Sequence, residues 1–131
     1  EIVPGLSDEI PILALLATQA NGVSIIKDAQ DLRNKESDRI STIVETLKAV
    51  GIDAVEKDDG FDIVGKKGYF KKELTLETHL DHRLAMTYYI LSLINKKNTE
   101  IKGFDCVNTS FPEFLELMKE LQKLLKQQEW I

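Results

Sequence analysis

The order of helical and strand patterns along the chain predicts an α/β (α+β) fold of repeated β-α-β-α-β-β units, helices inside and sheet outside. Two observations carry the layering: Ile10 to Ala17 and Leu84 to Ile94 have helical length but hardly a polar position. Helices apolar all round are buried on every side. A third observation is the order itself: helix, strand, helix, strand, strand, then strand, helix, strand, helix. It reads as one unit lacking its first strand, about residues 1–66, and most of a second, about 72–131. Nothing resembling a linker separates them, so 1–131 is read as a single domain.

Ser7 or Asp8 can cap a first helix over about residues 9–20, and Pro11 favours Asp8 because proline is tolerated only in a first turn. Asn21-Gly22 ends it, and Val23 to Ile26 reads as a strand. A polar loop from Lys27 to Asn34 leads to a helix with Ile40, Ile43, Val44, Leu47 and Val50 at helical spacing, stopped by Gly51. Ile52 to Glu56 and Phe61 to Val64 flank Asp58-Asp59-Gly60, a hairpin signal. After a basic turn, Gly65 to Lys72, come a strand at Leu74 to Leu76, the helix to Ile94 and a strand near Thr99 to Ile101. Asn108 to Pro112 opens a last helix with Phe114, Leu115, Met118, Leu121, Leu124 and Leu125 on one face and Pro112 in its first turn.

With 131 residues and a net charge of -5, the chain has enough apolar content for one core and no basic stripe, so nucleic acid is not an expected partner. The apolar run Ile10 to Ala17 is too short to cross a bilayer, and no membrane partner is expected. A single cysteine, Cys106, fits a reducing cytoplasm and is read as a small apolar side chain. Beginning at Glu1 without Met, the chain reads as a piece of a longer one.

Two knots of charge stand where helices begin: Lys35-Glu36-Ser37-Asp38-Arg39 and Asp81-His82-Arg83. Helix N-termini carry partial positive charge, so cations there run against the electrostatic preference unless an anion is to be bound. For the first knot one reading is a solvated helix start, with Ser37 capping and Asp38 complementing the dipole. The other has Lys35 and Arg39 bracketing an anion beside a titrating Glu36. For the second, Asp81 is an N-cap with His82 and Arg83 exposed, or Arg83 clamps a carboxylate or phosphate. His79 and His82, three apart, are the only histidines and the lone Cys106 is distant in sequence, so no metal site is expected. Asp8 reads locally as a helix cap.

In sequence order, Asp8-Glu9-Ile10-Pro11, Leu32-Arg33-Asn34-Lys35-Glu36-Ser37-Asp38-Arg39, Asp81-His82-Arg83-Leu84-Ala85-Met86 and Ser110-Phe111-Pro112 resemble the C-terminal part of the 5-enolpyruvylshikimate-3-phosphate synthases, or 3-phosphoshikimate 1-carboxyvinyltransferases. The resemblance runs nearly end to end but covers only about the last third of such an enzyme. It implies the family's inside-out barrel and a cytoplasmic step of aromatic amino acid biosynthesis without cofactor. In that step the enolpyruvyl group of phosphoenolpyruvate passes to the 5-hydroxyl of shikimate 3-phosphate, releasing phosphate. It also implies roles: Asp8 as base near that hydroxyl, Glu36 exchanging the proton at the methylene carbon, and Lys35 on the shikimate ring's oxygens. Arg39 and Arg83, with His82 beside them, would bind the carboxylate and phosphate of phosphoenolpyruvate.

Two positions depart from some members. Asp31 replaces an asparagine on the shikimate-phosphate side, and Thr109 replaces a lysine that would touch phosphoenolpyruvate; Lys102 is a candidate substitute. The family's site lies between two domains, so the resemblance makes the missing N-terminal domain a required partner and the isolated chain inactive. The alternative is a non-catalytic anion-binding module retaining the fold; a third reading, an interaction domain, treats the charges as ordinary caps.

Overall fold

The computed structural model describes residues 8–127; Ser7, the alternative cap, and Glu1 to Gly5 lie outside the described residues. The first helix, α1 (Ile10–Ala17), has Pro11 in its opening turn as expected. Its N-cap is Glu9, not Asp8, because the Asp8 carboxylate is engaged by Arg39 instead. It also ends three residues short of expectation. The Thr18 hydroxyl donates to the Leu15 carbonyl at 2.6 Å and the next N–H groups turn back in three-residue steps. Burial on every side is corrected too: Ile10, Ala14 and Leu15 are buried, while Leu16 is 61% exposed.

Strand β1 (Val23–Ile26) follows, and the expected polar loop contains a short 3-10 turn, Gln30–Asn34, anchored by the fully buried Leu32. Helix α2 (Arg39–Ala49) is capped by Asp38 rather than Ser37, its carboxylate accepting the Ser41 N–H at 3.1 Å. Ile40, Ile43, Val44 and Leu47 are buried, as the periodicity predicts, and Gly51 with φ +91° ends the helix. Strands β2 (Asp53–Lys57) and β3 (Gly60–Val64) form the expected hairpin. Strand β3 lies between β1 and β2, antiparallel to both, with Val64 opposite Val23 on one side and Asp53 on the other. A side chain at Gly60 would collide with the Ile26 carbonyl, so the close strand approach there needs glycine.

Strand β4 (Leu74–Glu77), helix α3 (His82–Ile94) and strand β5 (Thr99–Lys102) form a parallel β-α-β crossover, Leu74 opposite Thr99. The expected single last helix is two: α4 (Val107–Ser110) and α5 (Phe114–Gln127), preceded by a 3-10 turn, Phe104–Cys106. Pro112 lies in the break rather than in a first turn. The residue before proline is driven out of the helical region, and Phe111 takes φ -149°. Phe114 is buried against Tyr89, with ring centroids 5.5 Å apart, but Leu115, Leu121 and Leu124 of the expected apolar face are exposed.

The inner face of the three-stranded sheet, Ala54, Phe61 and Ile63, packs on α1 and α2. One continuous core joins these to Leu84, Tyr88 and Leu91 of α3. The fold is mixed α/β, with the central helices sharing that core, and it brings the starts of α1, α2 and α3 together.

Candidate functional site

Asp81 stands at the meeting point. It is the N-cap of α3, fully buried, and accepts the N–H groups of Arg83 at 3.0 Å and Leu84 at 3.3 Å. The chain enters this cap through two consecutive left-handed residues, His79 with φ 52° and Leu80 with φ 61°. Such backbone is costly for side chains of this size and is held by its surroundings. Here the Glu77 carboxylate accepts the His79 N–H and the Thr78 hydroxyl accepts the Leu80 N–H.

From the start of α2, Arg39 reaches the same carboxylate and is itself fully buried. Its Nε donates to Asp81 Oδ2 at 2.8 Å and its Nη2 to Oδ1 at 3.1 Å, a two-pronged arginine–carboxylate pair. The Ser37 hydroxyl donates to Asp81 Oδ2 at 2.8 Å. Arg39 Nη1 donates to Asp8 at 3.1 Å, and Nη2 also bonds Glu36. Thus the anion-binding arginine expected from sequence has carboxylates of its own chain on each nitrogen. Asp8 and Glu36, 47% and 46% exposed, separate it from solvent.

Two further cations make only longer contacts with carboxylates. Lys35 Nζ lies 4.0 Å from Asp8 and 3.8 Å from Asp31. Arg83 lies 3.9 Å from Asp8 and 4.0 Å from Glu9. Asp8 therefore sits between Lys35, Arg39 and Arg83. A cavity of about 190 Å³ lies beside Arg83 and Asp8, with Ile12, Met86, Ile90 and Phe114 among its lining residues. His82 is half-buried at the first position of α3. Thr109 is exposed on α4 and Lys102 is exposed at the end of β5.

The electrostatics follow from these contacts. The Arg39 hydrogen bond holds the Asp8 carboxyl below the usual carboxylate range. Burial pushes Asp81 up, but its bonds from Arg39 and Ser37 outweigh that and leave it lowered. Burial likewise opposes the charge on Arg39, and Asp81 outweighs it, so the guanidinium is held charged. Burial raises the Cys106 thiol, which fits an inert apolar side chain.

Both aspartates are lowered from an ordinary value of 3.8, so at acid pH the unfolded chain binds more protons than the folded one. Stability from these groups is present above that value and is lost as pH falls below it toward the folded values. Urea midpoints should therefore hold steady down to about pH 5 and fall steeply below about pH 4. Asp81→Asn should flatten that acid slope; an unchanged slope contradicts the assignment.

Two structural contributors were not marked by the sequence. Asp81 reads there only as a cap, and no local signal ties it to an arginine 42 positions earlier. Arg33 bonds Asp38 at 3.0 Å, Glu56 at 2.9 Å and the Lys57 carbonyl at 2.6 Å. It thereby pins the Lys35–Glu36 segment to the hairpin.

Three helix starts thus converge on the buried Arg39 and the half-buried Lys35 and Arg83 in a mixed α/β fold. The family model described as EPSP synthase (3-phosphoshikimate 1-carboxyvinyltransferase) matches residues 1–118. The chain belongs to that family. It is 49% identical over 124 residues to the 3-phosphoshikimate 1-carboxyvinyltransferase of Petrotoga mobilis, covering 95% of this chain and 28% of that protein. With the enzyme of the same name from Staphylococcus carnosus it shares 46% over 123 residues, again 28% of that protein. The solved structure of EPSP synthase from Acinetobacter baumannii superposes with a TM-score of 0.83 at 36% identity, covering 90% of this chain and 28% of that one. The chain thus spans a little over a quarter of the length of these relatives.

Proposed function

We propose that the chain forms one wall of the active site of a 3-phosphoshikimate 1-carboxyvinyltransferase, and that the rest of a two-domain enzyme supplies the other. The observation that carries this is the placement of Asp8 and Glu36 on one buried arginine, flanked by the more loosely paired cations Lys35 and Arg83. Both substrates, phosphoenolpyruvate and shikimate 3-phosphate, are polyanions. Cations fixed by the fold hold them together and lower the entropic part of a bimolecular barrier.

In this reading Arg83, with His82 beside it, binds phosphoenolpyruvate. Arg39 joins it when the substrate's anionic groups take the places now held by Asp8 and Glu36. Lys35, between Asp8 and Asp31, meets the oxygens of the shikimate ring. In the addition step Glu36 gives a proton to the methylene carbon, the 5-oxygen bonds to the adjacent carbon, and Asp8 takes the hydroxyl proton. Elimination returns the methyl proton to Glu36 as the carbon–oxygen bond to phosphate breaks, the electron pair leaving with phosphate, which takes up the proton held by Asp8. The same cations offset the charge that builds on that leaving group. Arg39 holds the Asp8 carboxyl ionised before substrate arrives, and its displacement from Arg39 restores the ordinary basicity that the base role requires.

The shikimate pathway in the cytoplasm is the setting this reading gives the chain; no helix among the described residues is long and apolar enough to cross a membrane. With one wall only, binding should be weak. Calorimetric titration of the chain with phosphoenolpyruvate should give a saturable isotherm with Kd on the order of 1 mM. Arg83→Ala should abolish it and Lys35→Ala should leave phosphoenolpyruvate binding largely intact. Affinity unchanged in Arg83→Ala would remove the anion site from this cluster.

A further inference from the structure

The far end of α3 carries a second concentration of positive charge. The helix has 13 residues, so this end lies about 20 Å from the cluster at its start. A cleft of about 450 Å³ opens there, between Val50–Ile52 just past α2 and the loop from Lys66 to Lys72. Lys66, Lys67, Lys71 and Lys72 line it, and Lys96 and Lys97 follow the helix beside it. These are six of the 17 cationic side chains of a chain whose net charge is -5. Among the described residues the lysines paired with carboxylates are Lys35 and Lys57, and none of these six. Lysines favour helix C-termini, and both α2 and α3 end here. Two such ends supply only about one negative charge between them, less than the six lysines carry.

The fold holds this charge in place rather than letting it spread. Alternate residues of the loop are tied to the body. The Lys66 N–H donates to Thr18 at 2.7 Å, and Gly68 exchanges two hydrogen bonds with the Gln19 side chain at 3.0 and 3.1 Å. The Phe70 N–H donates to Ile94 at 3.2 Å, and Lys72 exchanges two with the Asn95 side chain, at 3.2 and 2.8 Å. Lys67, Tyr69 and Lys71 project between these ties, all exposed. Tyr69 is 63% exposed, with the Lys96 ammonium 4.0 Å from its ring centroid.

We propose that this cleft is a binding site for an oligophosphate, separate from the transferase cluster. Lysines are compact point charges on flexible stems, suited to a multiply charged anion, and no arginine fork is present to select a planar carboxylate. The volume suits a small molecule. Two sources share this chemistry: inorganic polyphosphate, and a nucleoside polyphosphate whose base stacks on Tyr69.

Calorimetric titration of the chain with tripolyphosphate and with ATP, at about 0.15 M salt, tests this. One saturable site is expected. Lys67→Gln with Lys71→Gln, both at exposed positions, should weaken it at least about tenfold without changing the melting temperature. Arg83→Gln should leave it unchanged. ATP binding tighter than tripolyphosphate, with the gain lost in Tyr69→Ala, identifies the nucleotide; equal affinities insensitive to Tyr69→Ala identify inorganic polyphosphate. Absence of saturation by about 5 mM of either, binding insensitive to the lysine changes, or binding abolished by Arg83→Gln would overturn the proposal.

Discussion

Replacing Asp81 with alanine should destabilise the chain by about 3–5 kcal/mol, the cost of leaving a buried charge without its partner. Arg39 and Asp81 are both fully buried, and Asp81 accepts both prongs of the guanidinium. Asp81→Ala also removes the acceptor for Ser37 and for two N–H groups at the start of α3. Arg39→Ala should cost a similar amount, by leaving Asp81 buried without a cation. The double variant Arg39→Met with Asp81→Leu should be less damaging than either single change, because an apolar pair carries no desolvation penalty. Urea unfolding of the unaltered chain, Arg39→Met, Asp81→Leu and the double variant forms the cycle. A loss under about 1 kcal/mol for Asp81→Ala would mean that the pair does not organise this end of the fold.

The second large effect is on chemistry and needs the other wall of the site. With this chain grafted in place of the corresponding segment of the Petrotoga mobilis relative, Glu36→Gln should lower kcat by about 10²–10⁴-fold, the range of a lost general acid–base. Substrate affinity should change far less, since glutamine keeps the shape and a hydrogen-bonding oxygen while losing the proton exchange. Glu36 is half-exposed, so the variant should fold normally. A kcat within about fivefold of the unaltered graft would take Glu36 out of the proton-transfer role.

Elements set by local chemistry were legible in the sequence. Gly51 stops α2, Asp58-Asp59-Gly60 turns the hairpin, and the spacing from Ile40 to Leu47 buries one face of a helix. Where the sequence reading failed, a long-range partner or a proline outweighed the local signal. Asp8 was expected to cap α1, but a buried arginine 31 residues later takes its carboxylate. Pro112 was expected to open a helix, yet its effect on Phe111 splits that helix in two.

The charged knots were legible as a pattern and not as a hierarchy. Nothing local to Arg39 distinguishes it from Lys35 or Arg83. Only the meeting of three helix starts makes it the buried member, with Asp8 and Glu36 on its outer side. Asp81 was legible as a cap while its second role, as counter-ion to Arg39, depended on tertiary structure.

In the proposed enzyme this cluster is one half of a carboxyvinyl-transfer site. Phosphate release from phosphoenolpyruvate and shikimate 3-phosphate, measured on the graft and on the isolated chain, tests it most directly. Turnover by the graft is expected within about tenfold of the intact relative, and none above background by the chain alone. A graft that folds and binds both substrates yet releases no phosphate would contradict it.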